Sequence, residues 1–146
     1  MPTSAKILEV LYVSTIADDA PISVVADIAA KARVWNLAHD LTGILIFDGL
    51  RFCQQIEGPQ KEVLALIERI TLDARHSNIT IFHHGPLNQR RFNDFSLAFT
   101  NVEDTEVVAQ LEKLDGAAGV AAFIALLAQL DQEVKSHAAN KEIQPR

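Results

Sequence analysis

Two apolar runs, Leu41–Phe47 (LTGILIF) and Leu50–Glu57 (LRFCQQIE), are separated by nothing but Asp48-Gly49. Asp-Gly readily takes the turn conformations that match strand twist, so the pair predicts a β-hairpin. A hairpin is marginal alone and needs further strands or helices against its apolar faces. The rest of the chain supplies them. Lys6–Ser14 (KILEVLYVS) alternates and is rich in β-formers, which predicts a first strand. After Asp18-Asp19-Ala20-Pro21, a turn, the apolar positions Val25, Ile28, Ala29, Ala32 and Trp35/Asn36 recur every three or four residues and predict a helix over Ile22–Leu37. Gly58-Pro59 ends the second hairpin strand and starts another helix, with Pro59 near its first position. That helix runs to about Leu72 on Val63, Leu66, Ile67 and Ile70. His76–Gly85 and Asn93–Thr100 predict two more strands, and Glu103–Leu114 and Ala117–Val134 two more helices, broken at Asp115-Gly116.

This order is that of an α+β, ferredoxin-like βαββαββ sheet with two helices on one face. Strand alternation sorts the side chains. Leu8, Val10 and Tyr12 share one side, as do Phe52, Gln54 and Ile56, and Phe95, Leu97 and Phe99. Leu11, Val13, Leu45, Phe47, Cys53, Phe82 and Ala98 are expected on the other. That second face is also apolar, so two C-terminal helices covering it complete the fold. The expected organisation is a domain over 1–100, a helical cap over 101–135 and a flexible tail over 136–146.

Composition bounds the function. Hydrophobic residues make 49% and charged residues 22%, ordinary for a globular domain. The net charge of −6 opposes nucleic-acid binding, which needs clustered Lys and Arg. The single Cys53 permits no intrachain disulfide and suits a reducing cytoplasm. The N-terminus shows no signal-peptide core. The longest apolar run, Ala117–Leu130, is about 14 residues against the ~20 that a spanning helix needs. A cytoplasmic location with no membrane partner is therefore expected.

No phosphate-cradling Gly loop, Cys-x-x-Cys pair or Ser-His-Asp order is present. His83-His84 would point to opposite faces of a strand and cannot share a metal, so no metal site is expected. Cys53 reads as a small buried apolar residue. Gln55, on the side of the C-terminal helices, needs a partner if buried, and the sequence does not name it. Tyr12, Gln54 and Asn36 stand out as a set. The first two are polar, central in apolar strands and expected on one face, with Asn36 at the inner end of the first helix facing the same space. Each alone reads as a satisfied core residue; together they read as the lining of a planar, amide-rich ligand site. Arg75-His76, after the second helix, either adds a cationic edge to that site or simply suits a helix C-terminus.

Taken together, LYVS (Leu11–Ser14), ARVWNLAHDLTGILIF (Ala32–Phe47), FCQQIEG (Phe52–Gly58), IERITLDARHSNITI (Ile67–Ile81) and RRFNDFSLAF (Arg90–Phe99) resemble a BLUF domain, the flavin-binding sensor of blue light. The resemblance covers roughly residues 6–100. It implies that flavin lies between the two helices, that Tyr12 donates an electron and a proton to it after excitation, and that Gln54 then reorganises its hydrogen bonds. It implies Asn36 at the flavin C4=O/N3 edge, Arg75 and His76 at the pyrimidine or ribityl side, and Asp73 nearby. FAD is the cofactor implied, with FMN or riboflavin as possible substitutes. Many family members carry Trp and Met on the last strand where this chain has Phe95 and Leu97. The expected output is non-enzymatic, through an unidentified downstream protein, as in the short single-domain members. Apolar residues around much of Ala117–Leu130 further suggest a homo-oligomer. The competing classes are a light-independent interaction module that keeps the fold, a small acylphosphatase-like enzyme and an RNA-recognition module. The second lacks its phosphate loop and the third its basic charge.

Overall fold

The computed structural model describes residues 7–17, 21, 23–92, 98–101, 105–114 and 116–128. The elements in chain order are β1 (Ile7–Ile16), α1 (Ser23–Ala38), β2 (Thr42–Phe47), β3 (Arg51–Pro59), α2 (Gln60–Thr71), β4 (His76–Leu87), β5 (Ala98–Asn101) and α3 (Thr105–Glu112). A last helix, α4, spans 116–128. The five-stranded sheet has the order β4-β1-β3-β2-β5. Its first four strands pair antiparallel, and β5 pairs parallel with β2. The α+β, ferredoxin-like reading stands, with β5 extending the sheet at its β2 edge.

The β2–β3 hairpin forms where Asp48-Gly49 predicted it. Asp48 Oδ1 accepts the backbone N–H groups of Leu50 at 2.9 Å and Arg51 at 2.7 Å, and Gly49 sits at φ 97°. A side-chain acceptor and a residue free to adopt positive φ are what this turn requires. At the end of α1, the Asn36 carbonyl accepts from His39 at 3.2 Å and Leu41 at 2.9 Å, with Asp40 between them at φ 59°. This left-handed residue stops the helix and turns the chain into β2.

One face of the sheet carries α1 and α2. Val25 and Ala29 of α1 pack on Leu45, Phe47 and Phe52, while Val63 and Leu66 of α2 pack on Val10, Tyr12, Leu41 and Ile56. The opposite face buries Leu11, Val13, Ile44, Ile46, Cys53 and Phe82 under Val108 and Leu111 of α3 and Phe123 and Leu126 of α4. Each fully buried Leu or Phe here contributes about 1.5–3 kcal/mol relative to exposure. Gly119 lets α4 settle on the sheet, since a Cβ there would stand 2.7 Å from the Phe82 ring.

The expectation for Leu45 and Phe47 is corrected. Leu45 pairs with Gln54 and Phe47 with Phe52, so both lie on the α1/α2 face, and Ile44 and Ile46 take the cap face. Residues Gly43–Phe47 are all buried. A strand buried on both faces shows no polar alternation, so its sequence alone cannot set its phase. Phe95 and Leu97, and everything beyond residue 128, lie outside the described residues.

Beside the cap-face core lies a polar cluster that sequence patterning did not reveal. Glu9 and Glu57 are cross-strand partners on β1 and β3, and both are fully buried with Gln55. Gln55 Nε2 donates to Glu9 Oε2 and Glu57 Oε1, each at 2.9 Å. The Arg91 guanidinium bonds both Glu9 oxygens. Glu57 also accepts from the backbone N–H groups of Arg91 at 2.8 Å and Phe92 at 2.9 Å and from the Thr42 hydroxyl at 2.6 Å. Buried carboxylates persist only with such partners. The cluster straps residues 90–92 onto the sheet, answering what Gln55 bonds to.

Candidate functional site

A cleft of about 160 Å³, partly open to solvent, separates α1 from α2 above the sheet. Tyr12 of β1, Leu45 of β2, and Phe52 and Gln54 of β3 form its floor. Ile28, Ala32 and Trp35, at helical spacing, form the α1 wall; Leu66 and Ile70 form the α2 wall. Lys31, Arg69, Asp73, Arg75 and His76 also line it. The cleft therefore joins apolar walls, suited to a flat ring system, to a few convergent polar groups.

Tyr12 and Gln54 are direct cross-strand partners. The phenol donates to Gln54 Oε1, and both residues are almost completely buried. Burial, followed by the fields of Cys53 and Asp73, pushes the Tyr12 phenol far above its ordinary pKa. Tyr12 is thus neutral at physiological pH, with its proton directed at an amide oxygen.

His76 fastens the end of α2 to β1. Its Nε2 lies 2.8 Å from the Ile70 carbonyl, and its Nδ1 lies 2.8 Å from Ser14 Oγ. A carbonyl can only accept, so Nε2 carries the hydrogen, and in the neutral ring Nδ1 accepts from the Ser14 hydroxyl. The ring meets Tyr12 and Phe52 edge-on, at centroid distances of 6.4 and 6.3 Å. Arg75 grips both oxygens of Asp73, Nε donating to Oδ1 at 2.9 Å and Oδ2 at 3.1 Å, Nη2 to Oδ2 at 2.6 Å and the backbone N–H to Oδ1 at 2.9 Å, and it reaches Asp27 at 3.5 Å. Those bonds hold the Asp73 carboxyl below the usual carboxylate range and raise Arg75.

Of the expected site residues, Tyr12, Gln54, Asp73, Arg75 and His76 converge on the cleft. Asn36 is fully buried near the end of α1 but is not among the residues that line the cleft; its neighbour Trp35 is. Sequence reasoning missed Trp35, Arg69 and Lys31 as lining residues. The Ile28, Ala32, Trp35 stripe carried the signal for the first. The Arg69 guanidinium sits 3.8 Å from the Trp35 ring centroid, and the His39 ring stacks on the same indole at 3.9 Å and 17°. Among the described residues, no cluster of His, Cys, Asp and Glu could hold a metal ion. No described helix is long and apolar enough to cross a membrane.

A family model described as sensors of blue-light using FAD (BLUF) matches residues 7–98. The chain belongs to the BLUF family. The cofactor of this family is a flavin, and its members sense blue light. BlrB, a BLUF protein solved in its dark state, is 32% identical with a TM-score of 0.72, covering 87% of this chain and 98% of BlrB. BlrP1 of Klebsiella pneumoniae, solved with FMN and cyclic diGMP, is 27% identical with a TM-score of 0.62, over 65% of this chain and 26% of that one. The blue light- and temperature-regulated antirepressor BluF of Escherichia coli (strain K12) is 39% identical over 69 residues, which make 47% of this chain and 17% of that protein. A subunit of the photoactivated adenylate cyclase of Euglena gracilis is 38% identical over 55 residues, 6% of its length. The chain therefore spans only a small part of these curated relatives, whereas it covers nearly the whole of BlrB.

Proposed function

We propose that this chain is a blue-light photoreceptor that binds a flavin non-covalently in the α1/α2 cleft and registers excitation through Tyr12 and Gln54. The observation that carries this reading is the buried phenol-to-amide hydrogen bond at the floor of a cleft with apolar walls. The residues fit the group. Ile28, Ala32, Leu66 and Ile70 offer flat apolar cover, and Gln54 offers an amide to a heteroaromatic edge. FAD is the cofactor proposed, with FMN or riboflavin as substitutes.

A bound flavin supplies a blue-absorbing chromophore and, once excited, a one-electron oxidant. Tyr12 is the oxidisable group, and its phenolic proton leaves toward Gln54 Oε1. A phenol held neutral and hydrogen-bonded gives up an electron readily only if its proton moves too; Gln54 can relay that proton, an Nε2–H proton leaving toward the ligand as Oε1 takes the phenol's. Gln54 has one accepting and one donating end, so turning the amide exchanges what it presents to the ligand. Asn36 is the second amide of the set, placed behind the wall that Trp35 forms. Arg75 and Asp73 neutralise each other beside the cleft and orient its polar edge, and His76 keeps the floor against α2.

The signal passes to a partner protein, and the chain catalyses no reaction of its own. The outward face of α4, which exposes Ile124 and several alanines, is the proposed self-association surface. The test is absorption of the purified protein. Bound flavin whose spectrum shifts reversibly to the red under blue light is expected; bound flavin with no shift overturns the photoreceptor reading and favours a light-independent interaction module.

A further inference from the structure

Trp35 is the one tryptophan of the chain, and it lines the same cleft as Tyr12. Indoles are easily oxidised, so a light-generated oxidant in this cleft faces two candidate donors. Two independent features of the structure bear on which one answers. The first is charge. Arg69 and His39 both stack within 4 Å of the indole centroid, so they must occupy opposite faces of the ring. A guanidinium over a neutral indole is an attractive cation–π pair. Remove an electron from the ring and the same pair becomes two positive charges in contact; Trp35 is half-buried and Arg69 exposed, so solvent reduces that repulsion without abolishing it at contact distance. The second feature is the proton. Trp35 Nε1 is buried with no hydrogen-bond acceptor among the described residues. Tyr12, in contrast, has Gln54 Oε1 as acceptor.

We propose that Arg69 is a positioning residue that keeps Trp35 electrochemically silent, so that oxidation in the cleft is directed to Tyr12. This rests on the flavin reading above. Electron transfer from Trp35 would move one electron from the indole to the excited flavin and leave an indole radical cation with its proton still on Nε1. No bond forms or breaks, and the electron returns to the same ring, so such an event ends without a switch. The stacked guanidinium disfavours it, and the absence of a proton acceptor at Nε1 denies it any escape. Oxidation of Tyr12 has a proton exit and can produce a lasting change at Gln54.

The test has two arms. In the flavin-free protein, azide radicals generated by a pulse oxidise Trp35, and the indole radical absorption reports the rate. Arg69→Met, which keeps apolar cover and loses the charge, should raise that rate several-fold, while Arg69→Lys should not. In the flavin-loaded protein, the yield of the red-shifted state per absorbed photon should fall several-fold in Arg69→Met. It should not fall when Arg69→Met is added to Trp35→Phe. Equal azide rates in Arg69→Met and the unaltered protein overturn the proposal, as does a yield loss that persists in the Trp35→Phe background. An unaltered protein with no light-induced shift sinks the photoreceptor reading instead, and the azide arm still decides the role of Arg69.

Discussion

Gln54 and Gln55 are consecutive on β3 and work on opposite sides of the sheet. Gln54 accepts from Tyr12 at the floor of the cleft, and Gln55 donates to Glu9 and Glu57 on the cap face. The alternation of a strand separates them, so a residue of the proposed switch adjoins the buried cluster that straps Arg91 and Phe92 to the sheet.

Gln55→Leu removes the amide that bridges two buried carboxylates. The variant should lose about 2–4 kcal/mol of stability, since breaking a partnered buried charge leaves it uncompensated. Urea unfolding monitored by circular dichroism measures this. A loss well below about 1 kcal/mol would mean that Arg91, Thr42 and the backbone amides satisfy both carboxylates without Gln55.

Tyr12 is the only tyrosine, so its ionisation can be followed without interference. Its pKa is raised in the folded state above its ordinary value near 10. The folded protein therefore holds the proton longer than the unfolded chain. This contribution to stability is fully present below about pH 10 and is lost as pH rises beyond it. In an alkaline titration, phenolate absorption should appear only together with unfolding. Cys53, whose thiol burial and Asp48 push up to about 12, should resist thiol reagents at neutral pH until the chain unfolds.

The cap can be tested from both sides of its contact. Phe123→Ala should cost about 3–5 kcal/mol, as a fully buried aromatic is removed. Gly119→Ala should cost about 1–3 kcal/mol, because the new Cβ meets Phe82. Truncation after residue 101 should expose Leu11, Val13, Ile44, Ile46 and Phe82 and cause aggregation, read by light scattering. A truncated chain that stays monomeric would show that these helices are dispensable as a cover.

Asn36→Ala removes a buried amide next to Trp35 rather than a cleft-lining group and should weaken riboflavin binding by disturbing the α1 wall, whereas Gln54→Leu should bind flavin yet give no red shift. Flavin titrations and difference spectra separate the two. Full retention by Asn36→Ala with loss by Gln54→Leu would reverse the roles.

Much of this was legible in the sequence because it rests on local rules. The Asp48-Gly49 turn, the alternation within each strand that set Tyr12 and Gln54 on one face, and the helical spacing of Val63 and Leu66 each follow from short segments. The phase of β2 was not legible, since Gly43–Phe47 is buried throughout and offers no polar face to read. Nor were the partners of Gln55. Glu9 comes from a distant segment, as does the Arg91 that binds it, and a Glu in a strand, as Glu9 and Glu57 both are, ordinarily signals solvent rather than a buried ion pair. The Arg69–Trp35 stack likewise joins two helices, which no single-segment pattern reports. The resemblance to BLUF sequences supplied the roles of Tyr12 and Gln54; the structure supplied their direct pairing.

The central claim is that Tyr12 is the group through which light acts. Tyr12→Phe keeps the ring and its packing, loses the proton and the bond to Gln54, and should leave flavin binding nearly intact. Blue-light difference spectroscopy of the flavin-loaded variant decides it. No red-shifted state is the predicted result; a normal, reversible red shift would contradict the account.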